Sequence, residues 1–327
     1  MHKPAPSTSS RKTRAGKPPL TVRLASPRGF CAGVERAIRT VEEALALHGA
    51  PVYVRHEIVH NTHVVARLSA MGAVFVENLE TVPKDRPVVF SAHGAPQSAH
   101  MDASARGLIK IDATCPLVLK VHNQIRRHDM AGRTVILIGH RNHPEVMGSM
   151  GQAPDGAVIL VETLADVAAL PCLRGPLAYS TQTTLSVDET KDMIAALKTR
   201  FPDIAGPARE DICYATSNRQ DAVKAAAKEC DLFVVIGSAT SSNSTRLVET
   251  AKIAGAADAA LVEDAGEFDW TRLEGVTTLG LSAGASAPES LVEEFLTALA
   301  ARRKLRLDHI ETARENVVFN TPLRLAS

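Results

Sequence analysis

The feature that most constrains this chain is a repeat. Cys31, Cys115 and Cys213 each precede a helical pattern. Val34, Ala37, Ile38, Val41 and Leu45 share one helical face after Cys31, as do Val118, Val121 and Ile125 after Cys115. Val223, Ala226, Ala227 and Cys230 do the same after Cys213. Each helix is followed by an apolar run ending in polar residues: VYVRHEIVHN (52–61), VILIGHRNHPE (135–145) and LFVVIGSATSSN (232–243). The first polar landmark falls at His60, 29 residues after Cys31, at His143, 28 after Cys115, and at Ser241, 28 after Cys213. A second apolar run ends at Glu77, Glu162 or Glu263, at offsets of 46, 47 and 50. A third precedes a small polar turn: SAHGAP (91–96), STQTTLS (180–186) or SAGASAP (282–288).

Three shared offsets predict three copies of one strand-helix-strand unit. Strands alternating with helices imply parallel sheets, with polar groups gathered at the strands' C-terminal ends. Aromatic residues make up only 4% of the chain, so Val, Ile, Leu and Ala must build the core, as buried parallel strands prefer. The expected fold is α/β: three similar lobes with small parallel sheets in a pseudo-threefold trefoil. Lobe 1 spans 20–115, lobe 2 116–209 and lobe 3 210–300, with the cysteines at the joints. Residues 20–32 are available as a strand of lobe 3. Residues 301–327 read as a C-terminal strap, strand-like at Val317, Val318 and Phe319.

Residues 1–19 carry five basic and no acidic residues and read as a disordered extension. They resemble a transit peptide in composition but lack an amphipathic face, so the expected location is cytoplasmic. Without them the net charge of +1 becomes −4, which lacks the basic footprint of a nucleic-acid binder. No apolar run approaches the length of a membrane span. Five scattered cysteines without an apolar signal segment argue against a secreted, disulfide-linked chain.

Equivalent positions in three lobes should bring Cys31, Cys115 and Cys213 together. A helix N-terminus favours thiolate, the metal-binding form. Three thiolates can hold zinc with a fourth ligand, or three irons of a four-iron cubane with the fourth left open. Three small buried hydrophobes is the plainer alternative. Cys172, after Pro171 in a connection, and Cys230, on an apolar helix face, read as structural. The surrounding turns supply His60, Asn61, His93, His143, Thr183, Ser241, Ser242, Asn243 and Ser286. They are mostly donors, with histidines able to carry charge near neutral pH, a set suited to a diphosphate. His56, His63, His122 and His140 lack this equivalence and read as structural. Glu145, in HPEVMG, is the only carboxylate among these principal positions. It suits a proton carrier whose pKa is raised by burial, or simply an acidic first-turn residue after a proline. No nucleotide-binding glycine fingerprint is present.

Together PRGFCAGVERAI (27–38), RHEIVHN (55–61), FSAHG (90–94), DATCPLV (112–118) and GHRNHPEVMGSMGQ (139–152) resemble the LytB-type iron–sulfur family, the 4-hydroxy-3-methylbut-2-enyl diphosphate reductases. STQTTLS, DICYATSNRQ (211–220), GSATSSNS (237–244) and SAGASAP extend the resemblance over roughly residues 20–320. It implies the last step of the methylerythritol phosphate route to isoprenoids, reductive dehydroxylation to isopentenyl and dimethylallyl diphosphates. It further implies one [4Fe–4S] cluster on Cys31, Cys115 and Cys213, with a fourth iron lacking a protein ligand. Glu145 would deliver protons, with Thr183 beside the substrate hydroxyl. His60, His93, His143, Ser241, Ser242, Asn243 and Ser286 would hold the substrate, mainly by its diphosphate. A ferredoxin or flavodoxin would bring electrons. Two rivals keep the cluster: a hydro-lyase that uses no net electrons, and a non-catalytic iron–sulfur sensor reaching RNA through its basic tail. Neither a nucleic acid nor a membrane is expected as a partner of the reductase.

Overall fold

The computed structural model describes residues 17–322. The chain enters through β1 (Pro19–Ser26). Cys31 then caps α1 (Ala32–His48), followed by β2 (Val52–Arg55), α2 (Thr62–Ala70), β3 (Ala73–Val76), β4 (Pro87–Phe90), α3 (Gln97–Ala105) and β5 (Ile109–Asp112). Cys115 caps α4 (Pro116–Met130), and the order recurs in β6 (Thr134–Ile138), α5 (Pro144–Met150), β7 (Val158–Val161), α6 (Leu164–Ala169), β8 (Leu177–Thr181) and α7 (Val187–Arg200). Cys213 caps α8 (Tyr214–Ala226), before β9 (Leu232–Ile236), α9 (Ser242–Ile253), β10 (Ala259–Val262), β11 (Thr278–Ala283), α10 (Glu289–Arg302) and β12 (Lys304–Glu311).

The strands form three parallel sheets, ordered β3-β2-β4-β5, β7-β6-β8 and β10-β9-β11-β1-β12. Each contains the same three-strand core, so the α/β fold of three small parallel sheets expected from the offsets is the fold observed. β9, LFVVI, is buried at every position, as a strand covered by helices on both faces requires. Its residues alternate between two cores. Leu232, Val234 and Ile236 pack with Leu291, Val292 and Phe295 of α10, while Phe233 and Val235 pack with Ala222, Val223 and Leu247 of α8 and α9. Pro116 and Pro144 occupy the first turns of α4 and α5, where a missing N–H costs nothing.

The chain segments before the cysteines close the arrangement into a ring. β5, which leads to Cys115, lies beside β4 of the first sheet. Ala205, upstream of Cys213, bridges to Ala178 of β8 in the second sheet. β1, which leads to Cys31, lies beside β11 of the third. Each cysteine therefore enters from the sheet of the preceding unit.

Two expectations need correction. Residues 1–16 of the basic extension lie outside the described residues, but Pro19, counted with it, begins β1. At the other end, Val317–Phe319 are not strand-like. The terminal strand is β12, and residues 312–321 cross α1 and α8 without joining a sheet. The reason is that side chains engage this backbone: Arg39 donates to the Phe319 carbonyl at 2.8 Å and Arg36 Nε to that of Asn320 at 2.8 Å. Val318 consequently remains 74% exposed.

Candidate active site

Strand ends from all three sheets open onto one cavity with about 690 Å³ of space unfilled by protein, counting its mouth. Cys31, Cys115 and Cys213 line it, with His60, His93, His143, Glu145, Thr183, Ser241, Ser242, Asn243 and Ser286. All twelve candidate residues are thus brought together. Asn61 instead turns to its helix, its Oδ1 accepting from Val64 N at 3.0 Å.

The cysteines are held alike. Cys31 N donates to Ala285 O at 3.2 Å, Cys115 N to Ala92 O at 3.0 Å and Cys213 N to Thr183 O at 3.0 Å. Each acceptor sits in the polar turn after the third core strand of the preceding unit. Gly33 leaves the sulfurs room: a Cβ there would lie 2.7 Å from Cys115 Sγ and 3.8 Å from Cys31 Sγ. Cys213 Sγ accepts from Thr216 N at 3.4 Å. The expectation of thiols acidified by helix N-termini is overturned for two of them. Burial, then the neighbouring Cys31, pushes Cys115 up to about 12 and Cys213 up to about 11. Desolvation outweighs the helix ends at both. Among the described residues no three His, Cys, Asp or Glu side chains are set to hold a single metal ion.

Across the cavity, His60 and His93 stack with centroids 4.1 Å apart, and His143 stands edge-on to them at 5.4 and 5.8 Å. Burial and mutual repulsion push His143 down to about 3 and His93 well below its usual value. Both shifts favour the neutral ring over the charge that a histidine can carry near neutral pH. Unpartnered polar atoms nonetheless remain. His60 Nε2 and Asn243 Nδ2 are buried without a hydrogen-bond partner, a deficit of about 1–3 kcal/mol each that a ligand can relieve. Asn243 is aligned by its Oδ1, which accepts from Ala285 N at 3.0 Å. Ser241 Oγ caps α9 by accepting from Ser244 N at 3.3 Å. Ser286 Oγ donates to His60 O at 2.9 Å, and Ser242 Oγ to Thr184 O at 3.4 Å, tying the third unit to the other two.

Glu145 is only 2% exposed and lies in the first turn of α5. It accepts from Thr183 twice, from N at 2.6 Å and from Oγ1 at 2.9 Å. Burial pushes its pKa up to about 7 against these two hydrogen bonds, and Asp211 adds to the rise. It is both a first-turn acid and a group poised to exchange a proton near neutral pH.

Sequence reading missed Thr216 and Asp211. Thr216 stands three residues after the capping Cys213, a visible capping spacing. Asp211 is buried between Lys120 at 3.1 Å and Thr181 N at 3.1 Å. An Asp precedes two of the three cysteines, in DATC and DIC, and that parallel was available in the sequence. His122 is structural: an added Cβ at Gly94, whose φ is +80°, would lie 2.5 Å from its ring.

The family described as "LytB protein" matches residues 22–300. This chain belongs to the LytB family. Similar relatives are the 4-hydroxy-3-methylbut-2-enyl diphosphate reductases of Hyphomonas neptunium and Phenylobacterium zucineum. Each is 59% identical over 95% of this chain and 99% of its own length. Among solved structures, that of the E-1-hydroxy-2-methyl-but-2-enyl-4-diphosphate reductase from Plasmodium falciparum superposes with a TM-score of 0.88 at 38% identity. It covers 95% of this chain and 98% of its own. A second, of (E)-4-hydroxy-3-methyl-but-2-enyl diphosphate reductase, the terminal enzyme of the non-mevalonate pathway, gives 0.62 at 32% identity, over 86% and 99% of the two chains. LytB enzymes are iron–sulfur proteins. Among the described residues of this LytB chain no helix is long and apolar enough to cross a membrane.

Proposed function

We propose that this chain converts 4-hydroxy-3-methylbut-2-enyl diphosphate into isopentenyl and dimethylallyl diphosphates. Two electrons and two protons enter, the allylic C–O bond breaks, and water leaves. The observation that carries the reading is one cavity shared by three half-buried thiols, unpartnered polar atoms that a ligand can engage, and a carboxyl with a pKa near 7. Relatives named 4-hydroxy-3-methylbut-2-enyl diphosphate reductase, at 59% identity, support it.

Cys31, Cys115 and Cys213 would hold a [4Fe–4S] cluster, one iron each, and the fourth iron would have no protein ligand. Three thiols match three irons of such a core, whereas a structural zinc ion needs a fourth ligand. When bound, the cluster supplies electrons and a Lewis acid to the allylic hydroxyl. The protein does the rest. His60 Nε2, Asn243 Nδ2 and the hydroxyls of Ser241, Ser242 and Ser286 hold the diphosphate, with His93 and His143 flanking it. That anchor confines the short allylic chain between its head group and Thr183. The Thr183 hydroxyl passes a proton from Glu145 to the departing oxygen. Val34, Val59, Leu117 and Val118 line the same cavity and limit its water. The electrons come from a one-electron carrier, a ferredoxin or flavodoxin.

Anaerobic turnover of the iron-loaded chain tests this reading. Both products form with a low-potential one-electron donor present and neither forms without it. Substrate consumed without any donor, by loss of water to an unreduced product, would make the chain a hydro-lyase instead.

A further inference from the structure

The first helix of each unit carries one cation that reaches forward to the chain just before the next unit's cysteine. Arg36, five residues past Cys31 on α1, donates to Thr114 O at 2.9 Å and to Asp112 O at 3.4 Å, on the approach to Cys115. Lys120, five past Cys115 on α4, donates to Arg209 O at 2.9 Å and Glu210 O at 2.6 Å, and pairs with Asp211 at 3.1 Å, on the approach to Cys213. Arg219, six past Cys213 on α8, donates to Gly29 O at 3.0 and 2.8 Å and to Phe30 O at 3.1 Å, on the approach to Cys31. The three links form a closed cycle.

Chance does not account easily for the cycle. Arg36 and Arg219 are almost wholly buried, and a buried cation is costly unless fully hydrogen-bonded. Most of their partners are main-chain carbonyls, which a shorter neutral side chain could satisfy without that cost. The C-terminal segment completes both sets: Asn320 O accepts from Arg36, and Glu315 pairs with Arg219 at 2.9 Å. Charge is what a neutral donor would lack. The Arg36 guanidinium interacts electrostatically with Cys115.

We propose that Arg36, Lys120 and Arg219 are positioning residues, a cyclic latch that fixes the three cysteine sulfurs across the joints between units and sets one cation beside the chain leading into each. The inference rests on the reading of Cys31, Cys115 and Cys213 as ligands of one iron–sulfur core.

Lys120 offers the cleanest test, because a third of its side chain is exposed and Lys120→Met keeps its hydrocarbon packing. Lys120→Arg is the conservative variant, and Lys252→Met, at an exposed pair with Asp258, is the surface control. In the metal-free chain, amide hydrogen exchange over residues 209–213 is faster in Lys120→Met than in wild type, with Lys120→Arg restoring it. In the loaded protein, kept anaerobic, iron passes to a chelator about 10-fold faster in Lys120→Met, the scale seen when groups that orient metal ligands are removed. The cluster's midpoint potential also moves to a more negative value, since a nearby positive charge favours the reduced form. Arg219→Lys, which trades a fork for a point donor but keeps the charge, speeds iron release and leaves the potential close to wild type. Unchanged exchange overturns the latch. Faster exchange with wild-type iron release and potential overturns the positioning role and leaves only a structural brace. A wild-type chain that binds no iron defeats the proposed function, and the exchange arm then decides the latch alone.

Discussion

Glu145→Gln lowers kcat by about 10²–10⁴-fold, the usual contribution of a positioned general acid, with iron content and KM close to wild type. The substitution is nearly isosteric. A Gln Oε1 still accepts from Thr183 N, and its amide can donate to Thr183 Oγ1, so the contacts at 2.6 and 2.9 Å keep their geometry. What disappears is the transferable proton. With a pKa near 7, Glu145 carries that proton below neutrality and loses it above. Wild-type kcat/KM therefore falls as pH rises through about 7, and the variant lacks this limb. A folding defect does not mimic the result. A carboxyl whose folded pKa is raised favours the fold fully below its unfolded pKa, and this contribution is lost as pH rises through about 7. Gln is spared that loss, so the variant melts no lower than wild type at pH 8. Wild-type kcat in Glu145→Gln would remove the residue from proton delivery.

Cys115→Ser loses most of its iron and falls in turnover by at least the roughly 100-fold that changes merely adjacent to metal ligands can reach. Cys172→Ser leaves both unchanged. The contrast follows from place. The Cys115 thiol lies in the cavity beside Gly33 and Cys31, where burial and the neighbouring sulfurs set its ionisation. A serine hydroxyl does not ionise there and gives iron a poor ligand. Cys172 is exposed in the connection between α6 and β8. Iron content, measured after anaerobic purification of both variants beside wild type, checks the pair. Equal iron in Cys115→Ser would mean that this sulfur is not a ligand.

Much of the fold was legible because it repeats. The offsets from Cys31, Cys115 and Cys213 to their polar turns reflect three copies of one parallel sheet core, and a periodicity of that kind survives loops of unequal length. The gathering of His60, His143 and Ser241 was legible for the same reason, since each lies in the turn that follows an equivalent strand. The forward links were not. Arg36 and Arg219 look like ordinary charges on amphipathic helices, and their carbonyl partners lie 78 and 190 residues away. Nor could spacing show that Val317 and Val318 would stay outside a sheet, because the arginines that hold the neighbouring backbone come from α1. The ionisation of His143 and of the buried thiols depends on desolvation, which neither residue type nor spacing reports.

The central claim is that three sulfurs from three units share one inorganic core with a corner open to substrate. Iron and acid-labile sulfide counted in the anaerobically purified chain, with iron spectroscopy before and after adding the diphosphate substrate, test it most directly. The account predicts about four irons and four sulfides per chain, with one iron site alone changing its signature when substrate binds. A single zinc ion, or four irons that all ignore the substrate, would contradict it.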